Sequence, residues 1–457
     1  MCAIGPRCAI FFTIAARHDF QYDPPMEIYH PAEMLSRDEI AALQCQRLRE
    51  TVRQARNSRF YRQRLDDAGV SPESIQSLDD LARIPPTAKQ DLRDSYPDGM
   101  VAVPQERLVR LHASSGTTGA ATVIYHTRED IRTWAELMAR CMFMAGVRPW
   151  DVFQNTSGYG LFTGGLGIHY GAEALGCLTI PSGPGNTRRQ LKLIRDFGVT
   201  VLHIIPSYAL YLGDALAAEG LDPAALSPRI ALIGAEPHSE EVRRRIESLL
   251  GLKAYNSYGL SEMNGPGVAF ECQCQDGMHL WEDAFIAEIL DPETGQPVPE
   301  GEVGELVMTC LTRTGMPILR YKTRDLTRFV PGLCACGRPH RRIDRIKGRA
   351  DDMLIIKGVN IYPMQVEQAL MALPEVGQNY QIILTHDGRM DQLTVQVELR
   401  EDFFQEDMRA LTGLQKKIAG ILRDEILVTP RVELVQANTL PRTEGKAVRV
   451  LDKRGDA

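Results

Sequence analysis

The sequence lacks any uninterrupted apolar run near the roughly 20 residues that a membrane span needs. The longest suspect, CAIFFTIAA at 8–16, falls well short of that. Behind the single Arg7 it imitates a short signal peptide, yet Met26 opens a charged, helix-like segment and can itself be the start. Residues 1–25 are therefore read as an extension outside the folded domains. Cysteine is scarce too: 10 in 457 residues is too sparse for a disulfide scaffold and fits a reducing, cytoplasmic setting. Basic charge is not in excess. Lysine plus arginine number 52 against 59 aspartate plus glutamate, a net charge of −7 that would repel a nucleic-acid backbone. The runs Arg243-Arg244-Arg245 and 338–349 read as solvated faces, so neither a nucleic-acid nor a membrane partner is expected.

What is present is ordinary globular composition, 44% apolar and 24% charged, at a length that suggests two or three domains. From Ser36 to Arg64 the positions Ile40, Leu43, Leu48 and Val52 recur at helical spacing, and Ser36 with Glu39 forms a capping box, so an amphipathic helical opening is expected. Between about 100 and 260, apolar runs such as VTVLHIIP (199–206) and RIALIGAE (229–236) alternate with helical stretches such as 239–250. That rhythm predicts βαβ units on a mostly parallel sheet. From 282 to 311, strands separated by Pro and Gly turns predict a β-rich segment. Beyond Arg349 come a Gly358 turn, a helix over 363–373, strands QIILTH and QLTVQVEL, a helix around 411–424 and a strand RVELVQ. These spell a small α+β domain.

The loop Ser114-Ser115-Gly116-Thr117-Thr118-Gly119 follows the apolar LVRLH and can turn backbone N–H groups and hydroxyls toward phosphate oxygens. It lacks the lysine of a Walker loop, since Ala120 and Ala121 come next. Taken alone it is also an ordinary polar turn. YGLSE (258–262) sets an aromatic and a carboxylate on one short turn, and YKTRDL (321–326) supplies Asp325. GRADDMLIIKG (348–358) supplies Arg349 and Asp351, and LPRTEGK ends on Lys446.

These five segments, in this order, resemble the adenylate-forming superfamily of acyl-CoA synthetases, adenylation domains and luciferases. The longer strings YGLFTGGLGIHYGAE (159–173), GAEP (234–237), YGLSEMNGPGVAFEC (258–272) and DDMLIIKGVNIYP (351–363) resemble the phenylacetate-CoA ligase family, from about Met26 onward. The resemblance implies an α/β fold: a large N-terminal domain over 26–349 with a parallel sheet and a β-rich subdomain, and a small mobile lid over 350–457. It implies ATP-dependent activation of an aryl acid to an acyl-adenylate, then transfer to coenzyme A, in a homodimer. Transfer to a carrier protein or small cofactor, and a catalytically silent nucleotide-binding scaffold, remain as alternatives. Lys446 occupies the catalytic position, placing positive charge where two anions meet. Glu262 occupies the Mg²⁺ position, a hard oxygen ligand. Asp325 with Arg349 would hold the ribose, Tyr258 and Gly259 the adenine side, Ser114 to Gly119 the phosphates, and Gly234, Ala235, Glu236 and Pro237 complete the nucleotide site. Asp351 falls at the hinge.

Two departures stand out. The family's tyrosine is Ser157 here and the tryptophan after GAEP is His238, which should enlarge or polarise the acid pocket otherwise walled by Tyr159, Phe162, Gly164, Gly165 and Ala235. A hydroxylated, amino-substituted or bicyclic aryl acid is expected. The family's Lys-Pro after the phosphate loop is Ala120-Ala121. Finally, Cys272, His279, Cys334 and Cys336 offer four soft ligands for a structural Zn²⁺, with Cys274 as the alternative thiol. Some members of the family carry a Cys and a His at this seven-residue spacing.

Overall fold

In the computed structural model, residues 27–113, 122–356, 359–386, 391–403, 408–441 and 448–454 are described. The opening helix, Arg37–Ala55, is capped as its sequence dictates: Ser36 Oγ accepts from the Glu39 N–H, and Glu39 returns a carboxylate to the Ser36 N–H. Its buried stripe of Ile40, Gln44, Leu48, Val52 and Ala55 follows the helical period, and Leu48, Val52 and Ala55 share a core with Leu311 and Leu319. The expected helical opening consists of two helices. Ser58 caps a second one, Arg59–Asp67, by accepting from the Tyr61 N–H at 3.2 Å. A hydroxyl that satisfies a free helix-start N–H competes with continuation of the preceding helix.

Among the described residues nine strands form the main sheet, and it is parallel in one half only. Leu178–Ile180, Val152–Asn155, Val201–Ile204, Ile230–Gly234 and Lys253–Leu260 run parallel, linked by helices such as Pro206–Ala218 and Glu240–Leu250. From Lys253–Leu260 onward the order reverses to antiparallel, through Gly265–Glu271, Met278–Leu280, Arg342–Ile343 and Phe329–Val330. The tight turn at Asn264, with φ of 82°, makes a hairpin of Lys253–Leu260 and Gly265–Glu271. A second, antiparallel sheet of Phe285–Leu290, Gly304–Cys310, Tyr321–Thr327 and Gly348–Arg349 corresponds to the expected β-rich segment.

The C-terminal part has its own core, in which the helices Pro363–Met371 and Met408–Ile426 contribute Val366, Leu370, Ile418 and Leu422 against Ile382 and Val395. Its sheet runs Arg431–Val435, Asp391–Leu399, Val376–His386, Val450–Asp452; the last strand is too short to have been visible in the sequence. The Gly358 turn lies outside the described residues. The basic runs are solvated only in part, at Arg244 and Arg341. Arg243 is buried against Glu240 and Glu247, and Arg245 reaches the carbonyls of Val376 and Gly377. Arg338 pairs with the fully buried Glu33, Arg342 with Asp276, and Arg345 with Glu240. No described helix is long and apolar enough to cross a membrane.

Candidate active site

Parallel strands leave their carboxyl ends facing one crevice, where connections diverge and ligands find room. Here the ends carrying Asn155, His203, Gly234 and Tyr258 open into a cavity of about 1060 Å³. That exceeds the roughly 300–1,000 Å³ of pockets for single drug-sized ligands. Its far wall comes from the C-terminal part, including Tyr380, Leu440 and Arg449, whose guanidinium lies 4.7 Å from the Tyr380 ring centre. Two glycines set its shape. A Cβ on Gly234 would stand 2.3 Å from Ser257 Oγ, and one on Gly259 would stand 2.1 Å from the Gly265 carbonyl. The register slips between Tyr258 and Gly259, so the facing backbone crosses where a side chain would be.

Strand pairing sets Asp325 opposite Arg349, and a chain of hydrogen bonds runs through them. Tyr258 Oη donates to Asp325 Oδ2 at 2.6 Å, and Arg349 Nη1 donates to Oδ1 at 3.2 Å. Arg349 also donates through Nε and Nη2 to both oxygens of Asp351, each at 2.9 Å. Burial raises the Asp325 carboxyl above its ordinary range, against the pull of Tyr258 and Arg349. Burial, then the Asp325 charge, holds the Tyr258 phenol well above 10. Glu262 sits on the turn Ser261–Met263 with Tyr321 Oη donating to its Oε1 at 2.9 Å. The buried Arg313 donates to the Glu262 carbonyl and to Asn264 Oδ1, and so braces the turn. Sequence reasoning missed Tyr321 and Arg313, although YKTRDL already displayed the first. Glu236 accepts from the N–H and Oγ of Ser207 at 3.0 and 2.9 Å, and Ala235 beside it holds the left-handed φ of 66°.

Of the residues expected to wall the acid, Ser157, Phe162, Gly164, Ala235 and His238 line the cavity. Tyr159 and Gly165 do not. They are tied to Asn155, whose Nδ2 donates to Tyr159 Oη and to the Gly165 carbonyl, both at 2.9 Å. A Cβ on Gly165 would meet the Gly158 carbonyl at 2.3 Å, so that close approach explains the glycine. His238 does not polarise the pocket as expected. Its Nδ1 donates to the Glu236 carbonyl at 3.2 Å and its Nε2 accepts from Arg345 at 2.8 Å, so both nitrogens are used. Among the lining residues that were not anticipated are Lys89, which adds positive charge, and His203. The loop 114–119 and Lys446 lie outside the described residues.

Away from the cavity, one donor atom each from Cys272, His279, Cys334 and Cys336 lies within 4.8 Å of the others. Cys272 Sγ and Cys334 Sγ are 3.6 Å apart, and Cys336 Sγ is 3.3 Å from His279 Nε2. Tetrahedral zinc with bonds of about 2.3 Å to sulfur and about 2.0 Å to nitrogen sets edges of about 3.5–3.8 Å, so the donors fit it. Cys274 is exposed and outside the cluster, which removes it as the alternative ligand.

Comparison with known proteins agrees with this geometry. The model of the AMP-binding enzyme family matches residues 36–310, and that of the AMP-binding enzyme C-terminal domain matches 358–454. The chain is 47% identical to the phenylacetate-coenzyme A ligase of Thermus thermophilus, over 93% of this chain and 100% of that protein. It is 47% identical to that of Pseudomonas putida, over 95% and 98%. Among solved structures, 2-hydroxyisobutyryl-CoA ligase in its postadenylation state superposes with a TM-score of 0.89 at 30% identity, covering 96% of each chain. The same enzyme in the thioesterification state gives 0.70 at 31% identity, over 96% and 95%. The chain belongs to the phenylacetate-CoA ligase family of the AMP-binding, adenylate-forming enzymes, and is an acid–thiol ligase of the AMP-forming class.

Proposed function

We propose that the protein activates an aryl carboxylic acid with ATP and passes the acyl group to coenzyme A, releasing pyrophosphate and AMP. The observation that carries the reading is the linked set Tyr258, Asp325 and Arg349, which lines the cavity together with Glu262 and is extended by the bond from Arg349 to Asp351. Asp325, already polarised by Tyr258 and Arg349, accepts the ribose hydroxyls, and the Tyr258 ring lies along the adenine. The loop 114–119 cradles the phosphates, with the 234–237 turn completing the nucleotide site. Glu262 would hold a Mg²⁺ through the carboxylate oxygen not taken by Tyr321, supplying a hard cation where phosphate charge accumulates. Lys446 stabilises the charge that builds as carboxylate meets α-phosphate. Cys272, His279, Cys334 and Cys336 would hold a structural zinc ion that ties the 329–343 strands to the hairpin at 265–280.

The division falls near 349/350, with Asp351 as the hinge, because Lys446 must reach the phosphate for the first half-reaction and withdraw for the second. The higher TM-score with the postadenylation state supports reading the described arrangement as the one that makes the adenylate. A cytoplasmic homodimer completes the proposal. Acid-dependent exchange of labelled pyrophosphate into ATP tests it: exchange that needs both an aryl acid and Mg²⁺ is expected, and exchange without any acid would contradict it.

A further inference from the structure

The strand Val201–Ile204 is buried along its whole length, and His203 is its one polar residue. Asn155, fully buried on the neighbouring strand, fixes the orientation of that imidazole. Its Nδ2 must donate, because its partner at 2.9 Å is the Gly165 carbonyl. Its Oδ1 must accept, because the Ser157 N–H lies 3.1 Å away. His203 Nδ1, 2.9 Å from that same Oδ1, therefore carries the proton, and it also lies 3.1 Å from Ser157 Oγ. Nε2 is left as a lone pair. The ring lines the cavity, and among the described residues no protein group bonds Nε2.

A bound molecule that donates to this acceptor gains a hydrogen bond, whereas one that covers it without donating leaves it unpaired at a cost in free energy. Burial also pushes the imidazole down to about 4, so at neutral pH it is an acceptor and carries no charge. Its hydrogen-bond partner Ser157 belongs to the expected acid walls. Ser157 leaves the room, since a larger side chain there would displace the imidazole's hydrogen-bond partner.

We propose that His203 determines the acid specificity of this ligase, its Nε2 accepting a hydrogen bond from a hydroxyl or amino group carried by the aryl ring of the substrate. The inference rests on the ligase reading above and names the substrate class within it. The preferred acid bears a donor on its ring, and the unsubstituted acid leaves Nε2 unpaired. A site built around such a bond rejects the analogue that lacks the donor.

The test compares kcat/KM for phenylacetate with its ring-hydroxylated, ring-aminated and methoxylated derivatives, in the parent and in His203→Leu and His203→Gln. At least one hydroxylated or aminated isomer should exceed phenylacetate by about tenfold or more, and its methoxy counterpart, which has no proton to give, should lose that gain. His203→Leu should bring the ratio near one through KM of the donor acid with KM for ATP unchanged, and His203→Gln should restore part of it. Should His203→Leu not fold, the hydroxy against methoxy comparison in the parent decides. Activation of phenylacetate and all derivatives within about threefold of each other, or a donor preference that survives in His203→Leu, would overturn the proposal while leaving the ligase reading intact. No ATP turnover with any acid would overturn the ligase reading, and this inference with it.

Discussion

Gly259 is held by its neighbours and not by its own conformation. The Gly265 carbonyl occupies the space a methyl would need, at 2.1 Å, and Pro266 Cα lies 2.7 Å away. Both are backbone, so neither can rotate aside. Gly259→Ala should cost about 3 kcal/mol and displace Tyr258 from Asp325, so a urea midpoint and an ATP titration should fall together. His203 makes a different prediction. Its folded pKa of about 4 lies below the ordinary 6.5, so the unfolded chain binds more protons between those values. Its contribution is complete above pH 6.5 and is lost as pH falls toward 4, a swing of about 3 kcal/mol. His203→Leu, which cannot titrate, should lose less stability than the parent between pH 7 and pH 4.5 in urea unfolding. The residues of YGLSE could be read from sequence because their chemistry is contiguous. His203 could not, since VTVLHIIP reads as core and its role depends on Asn155, 48 residues earlier. His238 misled for the same reason, because Arg345, 107 residues later, consumes its free nitrogen.

At the scale of elements, the helix Glu240–Leu250 joins the two parts of the molecule. Its cap residue Ser239 donates its N–H to Glu367 Oε1 at 3.2 Å, and Tyr380 Oη donates to Oε2 at 3.2 Å. Gln378 adds a bond of 2.7 Å to Asp214. These few polar contacts hold the C-terminal sheet over the cavity and must break if that sheet turns away. Glu367→Ala should therefore slow adenylate formation about tenfold, while thioester formation from presynthesised adenylate changes little; separate single-turnover measurements of the halves check this. Element types were legible wherever period was strong, as in the capped opening helix and the strands at 201–204 and 230–234. The break at Ser58 and the reversal to antiparallel pairing at Asn264 were not. Each is decided by one or two turn residues inside an otherwise continuous apolar pattern.

For the molecule as a whole, the cysteine and histidine cluster links segments more than 60 residues apart, since Cys272 meets Cys334. A bound zinc ion there would stabilise the folded state and not the open chain. Cys336→Ser should abolish zinc in the purified protein by elemental analysis and lower Tm by roughly 5 °C or more, at about 2–4 °C per kcal/mol. Adenylate chemistry should persist in whatever fraction stays folded, because the cluster does not line the cavity. The four candidate ligands could be listed from two Cys-x-Cys pairs and a nearby histidine, yet the exclusion of Cys274 required the turn after Cys272, which leaves one thiol buried and sends the other to solvent. The overall two-part organisation was legible because motifs kept their order along the chain. The wall that the C-terminal part contributes to the cavity, through Tyr380 and Arg449, depends on how the parts meet and leaves no mark in local sequence.

The most direct test of the central claim is mass spectrometry of products from purified protein given ATP, Mg²⁺, coenzyme A and a panel of aryl acids, each omitted in turn. The account predicts an acyl-CoA mass with stoichiometric AMP, an acyl-adenylate mass when coenzyme A alone is left out, and neither without ATP. Acyl-adenylate that persists unchanged in the presence of coenzyme A, or AMP release that is indifferent to the acid, would contradict it.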